Sequence, residues 1–266
     1  VVGTCPNCKS KTKGDQCDAC GTLFDPANLK DRKCGICGDT PVFKLSEHFF
    51  LALSKLQSFI EDYVQNSSGW RTNALGLSQR YIYEGLRDRA ITRDLEWGIS
   101  VPLKGFETKK IYVWVEAVLG YLSASKKWAE ACGVNWHEIW SENSLHYYIH
   151  GKDNIPFHTV ILPALIKAHG GLHLPDRIIS SEYVTLEDRK ISTSENWAVW
   201  IPYLIEYYNP DSIRYYFIAN GPEKKDTDFS WREFINSHNG ELLGAYGNLV
   251  NRSLVFVQKS FDGKVP

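Results

Sequence analysis

Ile111-Tyr112-Val113-Trp114-Val115, followed by Glu116-Ala117-Val118-Leu119-Gly120-Tyr121-Leu122, decides the fold class. The first five residues form an apolar, β-rich run of the fully buried kind, and the next seven open a helix. The same order recurs downstream. Leu145-His146-Tyr147-Tyr148-Ile149-His150 reads as a second buried strand ending at Gly151-Lys152-Asp153-Asn154, and a helix follows from about Pro156 with Phe157, Val160, Ile161 and Leu165 inward. Ile178 to Leu186 supplies a third strand. Strand alternating with helix predicts an α/β fold on a parallel sheet, with the ligand site at the carboxyl ends of the strands. Three turns then share one edge: Trp114 to Tyr121, His150 to His158, and Lys190 to Ser194.

The last of these, Asp188-Arg189-Lys190-Ile191-Ser192-Thr193-Ser194, clusters donors suited to phosphate. Taken alone, a lysine beside a Ser/Thr run is a solvated surface turn. Convergence with the other two turns makes it part of a site.

At 266 residues the chain is long enough for two or more units with a sizeable core. Its 30 Lys+Arg against 31 Asp+Glu give a net charge of -1, which excludes a global basic field for gripping nucleic acid but not a local patch. No apolar run of about 18 residues and no signal-peptide pattern occurs, so the expectation is a soluble cytoplasmic protein with no membrane contact. The chain opens on Val1-Val2-Gly3 with no initial methionine and runs straight into a cysteine cluster, which leads us to expect a fragment; the absence of Met throughout has no physical account.

Six of the seven cysteines form three Cys-x-x-Cys pairs: Cys5/Cys8, Cys17/Cys20 and Cys34/Cys37. Two intervening residues let both thiolates of a pair face one tetrahedral zinc, and Gly21 and Gly38 stand directly after a pair, where the knuckle needs backbone freedom. Cys5, Cys8, Cys17 and Cys20 are expected to form a four-thiolate site, structural rather than catalytic. Cys34 and Cys37 lack a mate; they either complete a second zinc with a pair upstream or bind no metal. Cys132 is an ordinary helix-face residue.

Between these regions, Phe49 to Val64 carries Leu56, Phe59, Ile60, Tyr63 and Val64 at helical spacing, stopped by Asn66-Ser67-Ser68-Gly69. A second helix is expected over Gly76–Asp88 with Leu77, Tyr81, Ile82 and Leu86 buried. His48 belongs to the core. Arg89 to Asp94 reads as a polar loop in which Arg93 pairs with Asp94. Toward the end, Asn209-Pro210 opens a helix with proline in its first turn, and Asp226 to Phe234 runs from a loop into another capped helix. A last helix from Glu241 turns Leu242, Leu243, Tyr246, Leu249 and Val250 inward and sets Asn248 and Arg252 one turn apart on one face.

The chain resembles the methionyl-tRNA synthetase family of the class I aminoacyl-tRNA synthetases. Tyr112 to Tyr121 resembles the family's amino-acid pocket segment, His150-Gly151-Lys152-Asp153-Asn154-Ile155-Pro156-Phe157-His158 its Gly-Lys-Asp block, and Lys190-Ile191-Ser192-Thr193-Ser194 its Lys-Met-Ser-Lys-Ser signature. The likeness covers essentially the whole chain in the family's order.

By that resemblance, Trp114, Ala117, Tyr121 and His158 line a pocket for the methionine side chain, where aromatic faces favour a thioether sulfur. Gly151 and Asp153 hold the adenosine of ATP. Lys190, Ser192 and Ser194, with Thr193, stabilise the triphosphate, and Arg93 stands at the mouth of the site. Asn248 and Arg252 read unstacked anticodon bases. The implied ligands are methionine, ATP with Mg2+, tRNA(Met) and structural Zn2+. The implied fold is the C-terminal half of a class I Rossmann-type α/β sheet with a zinc-knuckle connective domain. Its division is 1–47 zinc knuckles, 48–104 helical remainder of the connective domain, 105–200 catalytic half, 201–235 stem-contact linker and 236–266 first anticodon-binding helix.

Three positions depart from the family pattern: Val118 stands for a proline, Leu162 for a tryptophan, and Thr193 for the second signature lysine. The His-x-Gly-His signature is absent, so we expect the chain to begin downstream of it and, alone, to form no adenylate. A synthetase for another apolar amino acid, or a non-catalytic zinc-bearing tRNA-binding scaffold, are the competing readings.

Overall fold

The computed structural model describes all residues except Asp18, Leu23, Ser194 and Pro266; the expected role of Ser194 therefore lies outside the described residues. The chain forms two compact units, Val1–Ile179 and Ser180–Pro266.

The first unit opens with a three-stranded antiparallel sheet of β1 (Val2–Thr4), β2 (Lys11–Lys13) and β3 (Lys30–Lys33), in the order β2-β1-β3. After β4 (Phe50–Leu51), α1 (Gln57–Gln65) buries Ile60 and Val64, residues i and i+4 on one face. Asn66 ends α1, its backbone N–H returning to the carbonyl of Asp62. The second helix, α2 (Thr72–Glu84), starts four residues before the expected Gly76. Its buried residues are Ala74 and Ser78, small side chains on one face, and Tyr81, whose hydroxyl donates to the carbonyl of Gly21. The Ser78 hydroxyl lies 2.7 Å from the carbonyl of Ala74 and 2.8 Å from Thr159 Oγ1, which in turn lies 2.9 Å from the carbonyl of Ile155, so these two buried hydroxyls have partners.

Arg89 to Asp94 is not a loop. It forms β5 (Arg89–Ala90), paired with β4, and β6 (Thr92–Asp94), paired antiparallel with β7 (Lys109–Ile111). Neighbouring residues on a strand point to opposite faces, so Arg93 and Asp94 do not pair. Asp94 instead takes Lys109 Nζ at 2.6 Å. His48 contacts Thr92 Oγ1 through Nδ1 at 3.1 Å and is partly exposed, outside the two hydrophobic cores and not in the expected core position.

The run Ile111–Val115 is likewise not a strand. β7 ends at Ile111, Tyr112 caps, and Val113 already belongs to α3 (Val113–Cys132). A short apolar run fits strand and helix alike; here Val115 and Val118, one turn apart, are the buried pair, while Val113 and Trp114 are half-exposed. α4 (Trp136–Ile139) leads to β8 (Tyr147–Gly151), on which Tyr148 is buried and Tyr147 and Ile149 are exposed. A 3-10 turn (Lys152–Asn154), a π-helical segment (Phe157–Ile161) and α5 (Leu162–His169) follow, and the chain returns as β9 (Arg177–Ser181) beside β8. Ile155, Leu162 and Ile178 meet Ile60, Val64 and Trp70 in one core. The expected strand Ile178–Leu186 is broken: β9 ends at Ser181 and β10 (Val184–Leu186) starts a separate sheet.

In the second unit, β11 (Arg189–Lys190) pairs antiparallel with β10, and after α6 (Ile201–Tyr207) and α7 (Pro210–Ala219), β12 (Thr227–Phe229) pairs parallel with β10. Pro210 occupies the first turn of α7 and the Asn209 side chain caps it, as the Asn-Pro pair predicts. Ser230 likewise caps α8 (Trp231–Asn236). Leu186, Leu204, Tyr216, Phe229 and Phe234 form this unit's core. A π-helical segment (Ser237–Gly247) continues into α9 (Asn248–Phe261). The inward face expected there is not formed among the described residues: Leu243, Tyr246 and Leu249 are more than half exposed.

Candidate active site and metal centre

The three cysteine pairs fold as three copies of one turn. In each, the first Cys donates its N–H to the carbonyl five residues on (Ser10, Thr22, Asp39), and its own carbonyl accepts from the residue four on (Lys9, Gly21, Gly38). That fourth residue is left-handed in every copy, with φ of 62° at Lys9, 68° at Gly21 and 80° at Gly38. The sulfurs of Cys5, Cys8, Cys17 and Cys20 all lie within 4.8 Å of one another, with Cys5–Cys20 at 3.9 Å and Cys8–Cys17 at 3.5 Å. Zn–S bonds of about 2.3 Å in a tetrahedron require S···S separations of about 3.8 Å, so this donor set fits the ion. Burial pushes the Cys17 thiol up to about 12. Against the same effect, the Thr22 hydroxyl and backbone pull Cys20 down to about 6. A cation at the centre reverses the penalty on Cys17 by favouring its thiolate. Arg80 and Tyr81 of α2 donate to the carbonyls of Cys20 and Gly21, tying the knuckle to the helical layer. Cys34 and Cys37 gather no further described ligands.

Trp114, Ala117 and Tyr121 occupy positions i, i+3 and i+7 of α3 and share one face. The π-helical segment opposite carries Phe157, stacked on Trp114 at 5.3 Å, and His158. His158 Nδ1 lies 2.9 Å from the carbonyl of Asn154, so Nδ1 carries the proton. Burial holds the ring near pKa 4, hence neutral, and Nε2 accepts from the Tyr121 hydroxyl at 2.9 Å. Tyr148 packs edge-on to Tyr121, and burial raises the pKa of both phenols. The result is a half-open aromatic cup. Its wall ends in polar atoms that are already paired, and it suits an apolar, polarisable side chain.

Arg93 lines a cavity that Phe157 of the cup also borders. Its guanidinium donates to the carbonyls of Ala90 and Thr92, sits 4.0 Å above the ring of Tyr112, and reaches Asp15 at 4.0 Å. Asp15 also holds Arg89 at 3.2 Å. A cavity of about 570 Å³ opens beside these groups, bounded by Asp15, Tyr81, Arg89, Arg93, Phe157 and Ile161.

At the end of β8, Gly151 leaves room for a carboxylate: a Cβ there would stand 2.8 Å from Asp153 Oδ1. Asp153 is exposed on the following turn.

The lysine turn belongs to the second unit. Glu187 and Asp188, both at positive φ, make the two-residue hairpin turn between β10 and β11, and Asp228 accepts the Asp188 N–H at 2.8 Å. Lys190 Nζ stands 5.8 Å above the ring of Tyr183. Ser192 and Trp197 exchange two backbone hydrogen bonds of 2.9 Å and close the loop that contains Thr193, while Arg189 pairs with Glu195. In α9, Asn248 and Arg252 are exposed and one turn apart.

Sequence reasoning did not single out Tyr148, Phe157 or Asp15 for this site. Period-two spacing from His150 would have found Tyr148, and adjacency to His158 would have found Phe157. Nothing local marks Asp15.

Comparison with known proteins decides the family. The model for class I (M) tRNA synthetases matches residues 1–254. This chain belongs to the class I (M) tRNA synthetases. Among synthetases of this family, it is 58% identical over 267 residues to "Methionine--tRNA ligase 1" of Alkaliphilus oremlandii, and 54% identical over 269 residues to "Methionine--tRNA ligase" of Bacillus cereus strain G9842. Each likeness covers 100% of this chain and 49% of the relative, so the chain spans about half the length of the curated relatives it matches. The structure of Mycobacterium tuberculosis methionyl-tRNA synthetase in complex with methionyl-adenylate superposes with a TM-score of 0.71 at 26% identity, over 88% of this chain and 45% of that one. Its free-state form gives 0.69 at 25%, with the same coverage. The chain thus has the mixed α/β fold of class I synthetases, with a cysteine cluster able to hold a metal. No helix among the described residues is long and apolar enough to cross a membrane.

Proposed function

We propose that this chain is the part of a cytoplasmic methionyl-tRNA synthetase that selects methionine and carries the phosphate-side lysine. A methionine carboxylate oxygen attacks the α-phosphorus of ATP, pyrophosphate leaves, and methionyl-adenylate forms. A ribose hydroxyl of the terminal adenosine of tRNA(Met) then attacks the carbonyl carbon and AMP leaves.

The observation that carries this reading is the cup of Trp114, Ala117, Tyr121 and His158, with Phe157 stacked on Trp114 and the Tyr121–His158 bond at its base. A neutral, doubly bonded His158 repels no thioether and offers no free donor to a competing polar side chain. Gly151 and Asp153 hold the ribose. Lys190, Ser192 and Thr193 face charge developing on the phosphates, Mg2+ accompanies ATP, and Arg93, stacked on Tyr112, serves at the mouth of the site. Catalysis is positioning and electrostatic stabilisation, with no protein nucleophile. Cys5, Cys8, Cys17 and Cys20 hold a structural Zn2+. The segments 1–47, 48–104, 105–200, 201–235 and 236–266 serve as knuckle, connective, catalytic, linker and anticodon-binding parts, with Asn248 and Arg252 contacting anticodon bases.

The test is amino-acid-dependent ATP–pyrophosphate exchange by a full-length protein carrying this sequence. Exchange with methionine supports the reading. Exchange only with leucine or isoleucine reassigns the substrate, and tRNA binding without any exchange makes the protein a scaffold.

A further inference from the structure

His150 has no role in the reading above, yet it touches both of the subsites that reading assigns. On β8 it shares a face with Tyr148, the buried tyrosine of the cup. Its ring stacks on His158 at 4.2 Å between centroids, with an interplanar angle of 18°. Its Nδ1 lies 2.9 Å from the carbonyl of Gly151, which can only accept, so Nδ1 carries the proton and donates. The other nitrogen, Nε2, is then a bare lone pair, buried and without a hydrogen-bond partner among the described residues. A ring kept only to fill space would avoid that orphan, since an apolar aromatic would fill the same volume without it.

We propose that His150 is a positioning residue that couples the methionine cup to the adenosine turn. One face of the ring fixes the plane of His158, and therefore the direction in which Nε2 meets Tyr121. The ring's N–H fixes the carbonyl of Gly151 at the start of the turn that carries Asp153. Filling either subsite orders the same ring, so each ligand meets a partly organised site once the other is bound. This inference rests on the assignment of the two subsites above.

The experiment is calorimetric titration of a full-length protein carrying this sequence with methionine, with and without a saturating non-hydrolysable ATP analogue. The comparison is among wild type, His150→Phe, which keeps the stack and loses the donor, and His150→Gln, which keeps a donor and loses the stack. We expect the analogue to tighten methionine about fivefold or more in wild type. The reciprocal titration gives the same factor. In His150→Phe, methionine alone binds within about twofold of wild type while the coupling factor falls to one. His150→Gln loses the coupling as well and supplies the result should His150→Phe not fold, with thermal unfolding reporting on both. Retained coupling in either folded variant overturns the proposal, as does a wild type that binds both ligands without coupling. A wild type that binds no methionine overturns the functional reading itself, and this inference with it.

Discussion

At the scale of single residues, the cup depends on the hydrogen bond by which the Tyr121 hydroxyl satisfies the buried Nε2 of His158. Tyr121→Phe strands His158 Nε2, and an unsatisfied buried acceptor costs about 1–3 kcal/mol. We expect the methionine KM to rise about tenfold in Tyr121→Phe with the ATP KM little changed; steady-state exchange kinetics measure both. His158 also sets a pH limit. Its folded pKa of about 4 lies below the ordinary 6.5, so between these values the unfolded chain binds more protons than the folded one. Stability from this group is complete above pH 6.5 and is lost progressively as pH falls toward 4; thermal melts from pH 7 to 4 should show a slope that His158→Gln flattens. Lys190 answers to a different readout. With the proposed action of Lys190 on charge that develops in the transition state, Lys190→Ala should lower the adenylation rate by about 100-fold or more while methionine affinity stays within twofold. The residue types of this site were legible in the sequence: Trp114, Ala117 and Tyr121 have helical spacing whether or not the helix is recognised. His150 was not, since a histidine at a strand end has no pattern that distinguishes a stacked ring from an exposed one.

At the scale of elements, the knuckle turn shows what spacing reveals and what it hides. Cys-x-x-Cys followed by glycine announced the turn at Gly21 and Gly38, and the structure adds Lys9 at the same left-handed position. Gly21→Ala should cost about 1–2 kcal/mol in thermal unfolding, because an L side chain at φ 68° is strained even where space exists. Lys9→Gly, relieved of that strain but gaining freedom when unfolded, should be close to neutral. The reading of Ile111–Val115 as a strand failed for a physical reason. Five apolar residues carry too few periods to separate 2.0 from 3.6, and the decision fell to tertiary packing of Val115 and Val118. The break between β9 and β10 was hidden in the same way, since Ser181 and Glu182 interrupt an apolar run that continues on both sides. In α9, Arg252→Ala should reduce charging of tRNA(Met) at least about tenfold and leave ATP–pyrophosphate exchange intact, if its contact is to unstacked bases.

At the scale of the whole chain, composition and motif order indicated more than one unit, and the structure divides the chain at Ile179/Ser180. All seven cysteines belong to the first unit, so metal removal should act there. A chelator should lower the first unit's melting transition and leave the second unit's unchanged, which two-transition calorimetric melts with and without chelator can report. The parts answer to different ligands, but one claim carries the account: the cup on α3 and the π-helical segment recognises methionine. The most direct measurement is calorimetric titration of a full-length protein carrying this sequence with methionine, leucine and isoleucine, repeated in Trp114→Ala. The account predicts methionine binding at least about tenfold tighter than either branched competitor, and a loss of about tenfold or more in Trp114→Ala. Leucine or isoleucine binding as tightly as methionine, or methionine affinity unchanged in Trp114→Ala, would contradict it.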